Sequence, residues 1–287
     1  NYLKNNIFIP AGMQSTLVDK QREIILNRAK GYEKNAERKI VNAPLADLSI
    51  KVAGGGYLST ANDLLLFSKA LMDNKLLKQS TLEMMLRKSK LSNGKDIDYG
   101  LGFALTFEND SLKYFSHNGA GTGFSSMLLI DPKLKIASVH LINIRDRNLG
   151  EPAKDILEMS ISDSIIKPTK TLSDVLMKTY SSAGIDSTNK MLNHIYSNEQ
   201  NVYTLNENEA IFFADDLIEL EKIPDAITYL KDVIKLYPKS FRVMTALADT
   251  YLKDNNSGLA LKYYRLASQI DNTNSRVNNL IKKLSSK

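Results

Sequence analysis

The sequence predicts two folded parts: an α+β part, in which helices accompany an antiparallel sheet, and an all-α part built from repeats. The sheet is indicated by two apolar runs, at residues 126–130 and 136–143, which the turn Asp131-Pro132 would join as neighbouring strands. The repeats are indicated by residues that recur at a constant offset of 34 positions near the C-terminus. A chain of 287 residues is long enough to hold both parts.

The composition is typical of a globular protein and excludes several functions. Hydrophobic residues make up 43% and charged residues 24% of the chain, and no apolar run approaches the length of a membrane span. The net charge of +6 is spread along the sequence without a basic block, so we expect no nucleic-acid partner. Cysteine is absent, which rules out disulfides and thiol chemistry.

The first sixty residues predict little regular structure apart from one helix end. Residues 1–9 are interpreted as the last turns of that helix and residues 10–18 as the loop after it. The glycines at 54–56 suggest a phosphate-binding loop, but the Lys-Ser/Thr pair and the spacing that such a loop needs are missing. We therefore interpret them as a tight turn that leads into the next helix.

Helix and strand signals then follow in turn. Thr60 and Asp63 have the spacing of a capping box, and the apolar residues after them predict a helix that ends near residue 73. Residues 99–106 alternate large and small side chains like a strand. Between the strands, a histidine stands in a glycine-rich stretch that we interpret as a turn at the mouth of a strand. Residues 150–166 have the apolar period of a helix, with a proline in its first turn.

After residue 168 the sequence becomes a helical repeat. The positions that recur with an offset of 34 are Ala214, Leu217, Ala226, Leu230, Val233 and Pro238, matched by Ala248, Tyr251, Ala260, Tyr264, Ala267 and Asn272. This offset is the period of tetratricopeptide repeats, in which small residues lie where paired helices cross closely. The resemblance predicts such repeats with a capping helix over residues 207–287, after a helical linker at 168–206.

The region before residue 168 carries a second resemblance. Its motifs are Pro10-Ala-Gly-Met-Gln-Ser-Thr16, Ala53-Gly-Gly-Gly-Tyr-Leu-Ser-Thr-Ala-Asn-Asp63, Tyr99-Gly-Leu-Gly-Phe103, His117-Asn-Gly119 with Gly123-Phe124, and Asp131-Pro132. In this order they resemble the second half of the serine β-lactamase and penicillin-binding protein family, whose class C-like branch includes DD-peptidases and related esterases. Residues 1–167 are therefore predicted to be the C-terminal part of a β-lactamase/transpeptidase-like fold.

The resemblance also implies roles for individual residues. The family forms an acyl-enzyme with three motifs, Ser-x-x-Lys, Tyr-x-Asn and Lys/His-x-Gly, and only the third is in place here. His117 would orient the substrate carboxylate and support the proton network, with Asn118 beside it at the substrate. Gly119 would leave room for the acyl group, and Ala120 would offer its backbone N–H to the oxyanion hole. Taken without the other motifs, a lone His-x-Gly is more typical of a histidine in a turn at a sheet edge, and that alternative stays open for His117.

Strings that match the two missing motifs occur elsewhere in the chain. They are Ser92-Asn-Gly-Lys95, Ser164-Ile-Ile-Lys167, Ser187-Thr-Asn-Lys190 and Tyr196-Ser-Asn198. The first falls in a predicted turn, and the other three follow the histidine motif instead of preceding it. We interpret all four as coincidences and expect the nucleophile to lie outside this chain, so that these 287 residues alone would be inactive.

Two functions remain open on the sequence. One is part of a serine hydrolase that acts on a β-lactam, a D-Ala-D-Ala peptide or a small ester, with the repeats binding a protein partner. The other is a non-catalytic protein-binding module that carries a degenerate hydrolase half. Neither requires a cofactor or metal.

The strands at 99–143 are expected to need a complementing N-terminal segment, because an unpaired strand edge exposes backbone groups. The resemblance also implies a periplasmic or secreted location.

Overall fold

The computed structural model describes residues 2–48, 51–145, 150–162 and 165–286, and it divides into two compact units. The first unit comprises Asn1–Lys34 and Ile40–Lys167, and the second comprises Asn35–Lys39 and Pro168–Lys287. Across the described ranges, no helix has the length and apolar character needed to cross a membrane.

Short elements come first in the first unit. In chain order they are α1 (Ile9–Ala11), β1 (Leu17–Val18), β2 (Tyr32–Lys34), β3 (Ile40–Asn42), β4 (Tyr57–Leu58), α2 (Ala61–Met72), α3 (Gln79–Met85), β5 (Ser89–Lys90) and β6 (Asp96–Ile97). The pairs β1 with β4, β2 with β3, and β5 with β6 are all antiparallel. They form three separate two-stranded ribbons.

The main sheet has four antiparallel strands. These are β7 (Ala104–Glu108), β8 (Ser111–Gly121), β9 (Phe124–Asp131) and β10 (Ile136–Ile142), in the spatial order β10-β9-β8-β7. Successive side chains point to opposite faces. Phe115 and Ile130 pack in one cluster with residues of α2 and α3, whereas Tyr114 and Leu129 pack against α4 (Gly150–Ile161). Both faces of the sheet therefore carry helices, and an antiparallel sheet accompanied by helices agrees with the predicted α+β class.

The N-terminal helix runs through Pro10, so the predicted loop at 10–18 begins too early. A π-helical segment, Lys4–Phe8, leads directly into α1, whose first turn contains the proline. Proline donates no backbone N–H, which the first turn of a helix tolerates. The helix ends at Gly12, where φ is +80° and the N–H donates to the carbonyl of Ile9 at 3.0 Å.

The predicted helix at 150–166 is α4, and it ends at Ile161, earlier than expected. Ile165, which the apolar period places on the buried face, is 86% exposed. The hydroxyls of Ser160 and Ser162 donate to the carbonyls of Leu157 and Glu158, at 2.6 and 3.1 Å. Such local bonds compete with helix continuation, and a hydrophobic period does not reveal them.

One half of the predicted capping box forms at Thr60, and the Asp63 carboxylate that would complete it bonds elsewhere. Thr60 Oγ1 accepts a hydrogen bond from the Asp63 N–H at 3.2 Å, as the spacing predicts. The Asp63 carboxylate is only 2% exposed and accepts from the Ser15 N–H at 2.8 Å and the Thr16 hydroxyl at 2.7 Å. Asp63 thereby ties the loop after α1 to the start of α2.

We expect Asp63→Ala to lower the free energy of unfolding by about 2 kcal/mol, because it leaves the partly buried Ser15 N–H without an acceptor and leaves the Thr16 hydroxyl only Ser59 as a partner. Urea unfolding of the chain measures this value. Asp73→Ala is the matched control, since Asp73 follows the same helix and forms an exposed ion pair with Lys69 at 2.9 Å. Similar losses in the two variants would contradict the structural role of Asp63.

The second unit is dominated by helices. In chain order its elements are β11 (Lys170–Thr171), α5 (Leu172–Asn198), β12 (Tyr203–Thr204), α6 (Glu207–Glu219), α7 (Ile223–Leu236), α8 (Phe241–Lys253), α9 (Ser257–Ile270) and α10 (Ser275–Ser285). Gly184, with φ of +73°, interrupts α5 and divides it into two helical halves. This region is an all-α unit apart from the two-residue parallel ribbon of β11 and β12.

The helices from α6 onward pack in sequence order, each on the next. Four alanines of the 34-residue pattern, Ala214, Ala226, Ala248 and Ala260, are buried in one continuous core. Small side chains there allow neighbouring helices to approach closely. Val277 of α10 joins the same core and covers its end.

Several buried or half-buried tyrosines make this unit sensitive to alkali. Burial, aided by a hydrogen bond to Asp225 at 2.6 Å, raises the pKa of Tyr180 to about 12. Burial also raises the pKa values of Tyr196, Tyr229, Tyr237 and Tyr264. A phenolate is poorly solvated in such surroundings, so the neutral form is favoured.

The second unit should therefore lose stability as the pH rises from about 10 to beyond 12. Unfolded tyrosines release their protons near pH 10, before the folded ones do, so the stabilisation is fully present below pH 10 and is lost above it. Circular dichroism, followed together with phenolate absorbance, measures the effect. In Tyr180→Phe the dependence of stability on pH should be shallower, and an unchanged dependence would contradict the assignment.

Candidate functional site

The histidine motif lies in the second half of β8, so it is part of a strand and not of the turn predicted from its glycines. The pairing of β7 with β8 ends at Ala104 and Ser116. Residues 117–121 pair with β9, and the pairing with β7 does not extend to them. The turn itself is only Thr122-Gly123. The motif consequently forms an open edge of the sheet.

The strand register determines which backbone groups face this open edge. Gly121 and Phe124 are paired across a two-residue turn, so they must be a hydrogen-bonded pair of the antiparallel ladder. Hydrogen-bonded pairs alternate with pairs whose N–H and C=O groups point outward. Asn118 and Ala120 belong to the second kind. Their N–H groups therefore point away from β9, toward the open edge.

The side chains of the motif are accessible. His117, Asn118 and Ala120 are exposed and Gly119 is half-buried. The His117 ring forms no hydrogen bond with any residue in the described part of the chain. Because side chains alternate, His117 lies on the face of the sheet that carries Phe115. The strand thus presents a basic ring and an outward N–H group within four residues.

Gly119 is explained by its neighbour on β9. A Cβ atom added at Gly119 would lie 2.4 Å from the hydroxyl oxygen of Ser126, with which it is paired across the ladder. Because one residue of this pair has no side chain and the other a short one, little projects from the sheet at this point. The sequence resemblance predicts that Gly119 leaves room for the substrate. In the structure, the lack of a side chain at Gly119 also leaves room for the Ser126 hydroxyl.

The turn after the motif is anchored by contacts that the sequence did not indicate. Gly123 has φ of +75°, and an added Cβ atom would lie 2.7 Å from the Cα of Gly31 and 2.5 Å from the Cβ of Ala43. The Tyr32 N–H donates to the carbonyls of Gly123 at 3.3 Å and Asn143 at 2.9 Å. This close backbone contact holds the end of β8 in place.

The four motif look-alikes occupy other places. Ser92 and Lys95 lie in the turn between β5 and β6, Ser187 and Lys190 lie in α5, and Ser164 lies outside the described residues. Tyr196 belongs to the helical core, where its hydroxyl hydrogen-bonds to that of Tyr237 at 2.7 Å. Of the three look-alikes that the structure describes in full, two belong to the second unit and one to a turn of the first.

The remaining histidines have different surroundings. His194 is exposed on α5 and hydrogen-bonds to Glu199 at 3.1 Å. His140 lies on β10, where its Nδ1 is buried and has no hydrogen-bond partner among the described residues. Within the described ranges, no group of three or more histidine or acidic side chains is arranged to hold a metal ion.

The sequence of the first unit matches a known protein family. The family model described as Beta-lactamase matches residues 1–161, more than half of the chain. The chain belongs to the beta-lactamase family. The match contains the His117 motif, the Asp63 network and the whole main sheet, so this beta-lactamase-family region coincides with nearly all of the first unit.

Curated relatives share this region. The human serine beta-lactamase-like protein LACTB, mitochondrial, is 32% identical over 152 residues, which cover 44% of this chain and 28% of the human protein. Penicillin-binding protein 4* of Bacillus subtilis is 29% identical over 140 residues, which cover 45% of this chain and 31% of that protein. The chain therefore spans less than a third of the length of these relatives.

Among solved structures, a penicillin binding protein from Bacillus halodurans aligns with a TM-score of 0.46 at 19% identity, covering 56% of this chain and 49% of that one. The D-amino acid amidase from Ochrobactrum anthropi aligns with a TM-score of 0.44 at 26% identity, covering 57% of this chain and 51% of the amidase.

Proposed function

We propose that this beta-lactamase-family chain is the C-terminal part of a serine hydrolase that acts through an acyl-enzyme. The observation that supports the proposal is the open edge of β8, where the exposed His117 lies beside an outward N–H group of Ala120. The substrate class is a β-lactam, a D-Ala-D-Ala peptide or a small ester. The nucleophilic serine and its lysine come from a segment outside these 287 residues.

Each residue of the edge has a role in this proposal. A tetrahedral intermediate carries an oxyanion, and a fixed backbone N–H of Ala120 stabilises that charge without any reorganisation. His117 donates a hydrogen bond to the substrate carboxylate or takes part in proton transfer, for which imidazole is suited near neutral pH. Asn118 lies beside them at the substrate, and Gly119 keeps the strand free of a side chain where the acyl group would pass.

The missing segment would also complete the sheet. In the described part of the chain, β10 pairs with β9 on one side and with no strand on the other. An unpaired edge is a site for strand addition. We propose that an upstream segment of the same protein pairs there and carries the Ser-x-x-Lys motif. These 287 residues alone would then have no turnover.

The helical unit is proposed to be a tetratricopeptide module that binds a protein partner. Its support is the 34-residue pattern, whose alanines are buried between consecutive helices. Curated relatives include a protein called mitochondrial and proteins of Bacillus subtilis. These names do not agree on one location. We propose an exported location from the resemblance to hydrolases that act outside the cytoplasm.

Turnover assays on the protein as its source makes it test this function. The substrates would be a chromogenic cephalosporin, a D-Ala-D-Ala peptide and an aryl ester, each assayed beside the 287-residue chain. We expect turnover of at least one substrate by the protein from its source and none by the chain alone. Failure with all three substrates would favour the alternative, a non-catalytic binding module that carries a degenerate hydrolase half.

A further inference from the structure

A polar pocket in the second unit holds the side chain of Arg38. This residue belongs to the Asn35–Lys39 segment of that unit. Arg38 Nη2 donates to the hydroxyl of Ser173, and Nε donates to Asp174 Oδ1 at 2.9 Å and lies 3.6 Å from Asp216 Oδ2. Only 11% of the Arg38 side chain is exposed. The guanidinium is thus enclosed by oxygen atoms from two helices.

The pocket is built by α5 and α6. Ser173 and Asp174 lie in the first turn of α5, and Glu209 lies in the first turn of α6, where its N–H donates to the Asn206 side chain at 2.9 Å. Acidic side chains are favoured at such helix N-termini. Asp216, further along α6, is 4% exposed. Asp174 and Asp216 thus approach the guanidinium directly, and Glu209 is connected to it through the Ser173 hydroxyl.

Ser173 connects two of these groups. Its hydroxyl accepts from Arg38 and donates to Glu209 Oε2 at 3.5 Å, and Glu209 is itself buried. A serine hydroxyl has one proton and two lone pairs. Because the proton is directed to Glu209, a lone pair is left for the incoming N–H group. The pocket is therefore arranged for a donor-only group such as guanidinium.

The backbone holds Arg38 in a demanding conformation. Its φ is +62°, in the left-handed region that non-glycine residues rarely adopt. Asn35 supports this turn: its carbonyl accepts from the Arg38 N–H at 2.8 Å and its Oδ1 from the Lys39 N–H at 2.9 Å. Ala36 is buried. The contacts of the guanidinium help to offset the cost of this conformation.

We propose that Ser173, Asp174, Glu209 and Asp216 form a guanidinium-binding site whose resident ligand is Arg38. An arginine side chain of a peptide is the class of ligand that would take its place. The planar guanidinium supplies donors in several directions, whereas a lysine ammonium presents a compact point charge. The site should therefore prefer guanidinium to ammonium. This inference is independent of the proposed hydrolase activity.

Chemical rescue of Arg38→Ala in the full 287-residue chain tests the site. The variant should unfold at a lower temperature than the wild type, and methylguanidinium at millimolar concentration should raise its Tm in a saturable manner. The wild type, in which the pocket is filled, should not gain. Methylammonium should restore less. Lys39→Ala, a neighbour with a 73% exposed side chain, is the matched control and should show no such gain.

A pocket variant makes the test specific. Adding Asp216→Asn to Arg38→Ala should abolish the gain from methylguanidinium, because the second change removes a buried carboxylate of the site. If Arg38→Ala does not fold, Arg38→Gly empties the pocket equally, adopts the left-handed φ without strain and should gain in the same way. An equal gain in the wild type, or equal rescue by methylammonium, would overturn the proposal, as would no gain in either Arg38 variant.

Discussion

If the proposed hydrolase assignment holds, replacing Ala120 by proline in the protein as its source makes it is expected to slow acylation by roughly 10²–10³-fold, the usual cost of losing one oxyanion donor. Proline has no backbone N–H, so the change removes the group that we assign to the oxyanion. The register directs this N–H away from β9, so no ladder hydrogen bond is lost with it. Proline is tolerated at such open strand positions.

Ala120→Ser is the control, because it keeps the N–H and adds only a small side chain at an exposed position. Its rate of acylation should stay near that of the wild type. The loss should appear in the rate of labelling by a fluorescent penicillin or an alkyl fluorophosphonate, while the urea midpoint changes little. An Ala120→Pro protein that acylates at the wild-type rate would exclude this N–H from the oxyanion site.

Gly123→Ala is expected to lower the free energy of unfolding of the chain by about 3 kcal/mol. Part of this loss is the left-handed backbone, which costs a non-glycine residue roughly 1–2 kcal/mol. The rest is overpacking, typically about 1–3 kcal/mol, since the added atom meets the backbone of Gly31, which cannot rotate away. Urea unfolding measures the change.

Gly121→Ala, at the last residue of β8, is the matched control two residues earlier in the chain. A Cβ atom added there meets nothing within 4 Å, and Gly121 is not among the residues with positive φ. Its stability should stay close to that of the wild type. If both alanine variants were equally stable, the contact between Gly123 and Gly31 would not be what holds the end of β8.

Local patterns predicted much of this fold. The capping box at Thr60, the strand pair joined at Asp131-Pro132 and the buried alanines of the 34-residue pattern all depend on interactions between near neighbours or on regular periods. The ends of elements were less predictable. The apolar period continues to Ile165 and so predicted a helix longer than α4. The helix ends at Ile161, where serine hydroxyls hydrogen-bond to the last carbonyls.

Long-range contacts could not be predicted from a single sequence. The glycines of the His117 motif suggested a turn, but cross-strand pairing with Ser126 makes Gly119 part of a strand. No sequence pattern indicated a role for Gly31 or Arg38, because their roles depend on partners far away in the chain. The residues of the open edge were found through resemblance, and the outward direction of the Ala120 N–H required the register of β8.

The most direct test of the hydrolase assignment is the intact mass of the protein, purified from its source, before and after treatment with an alkyl fluorophosphonate. We expect a protein larger than 32.1 kDa that gains one adduct on a serine upstream of the residues described here. The 287-residue chain treated in the same way should gain none. A native protein of 32.1 kDa that takes no adduct would contradict the assignment and leave the helical unit as the functional part.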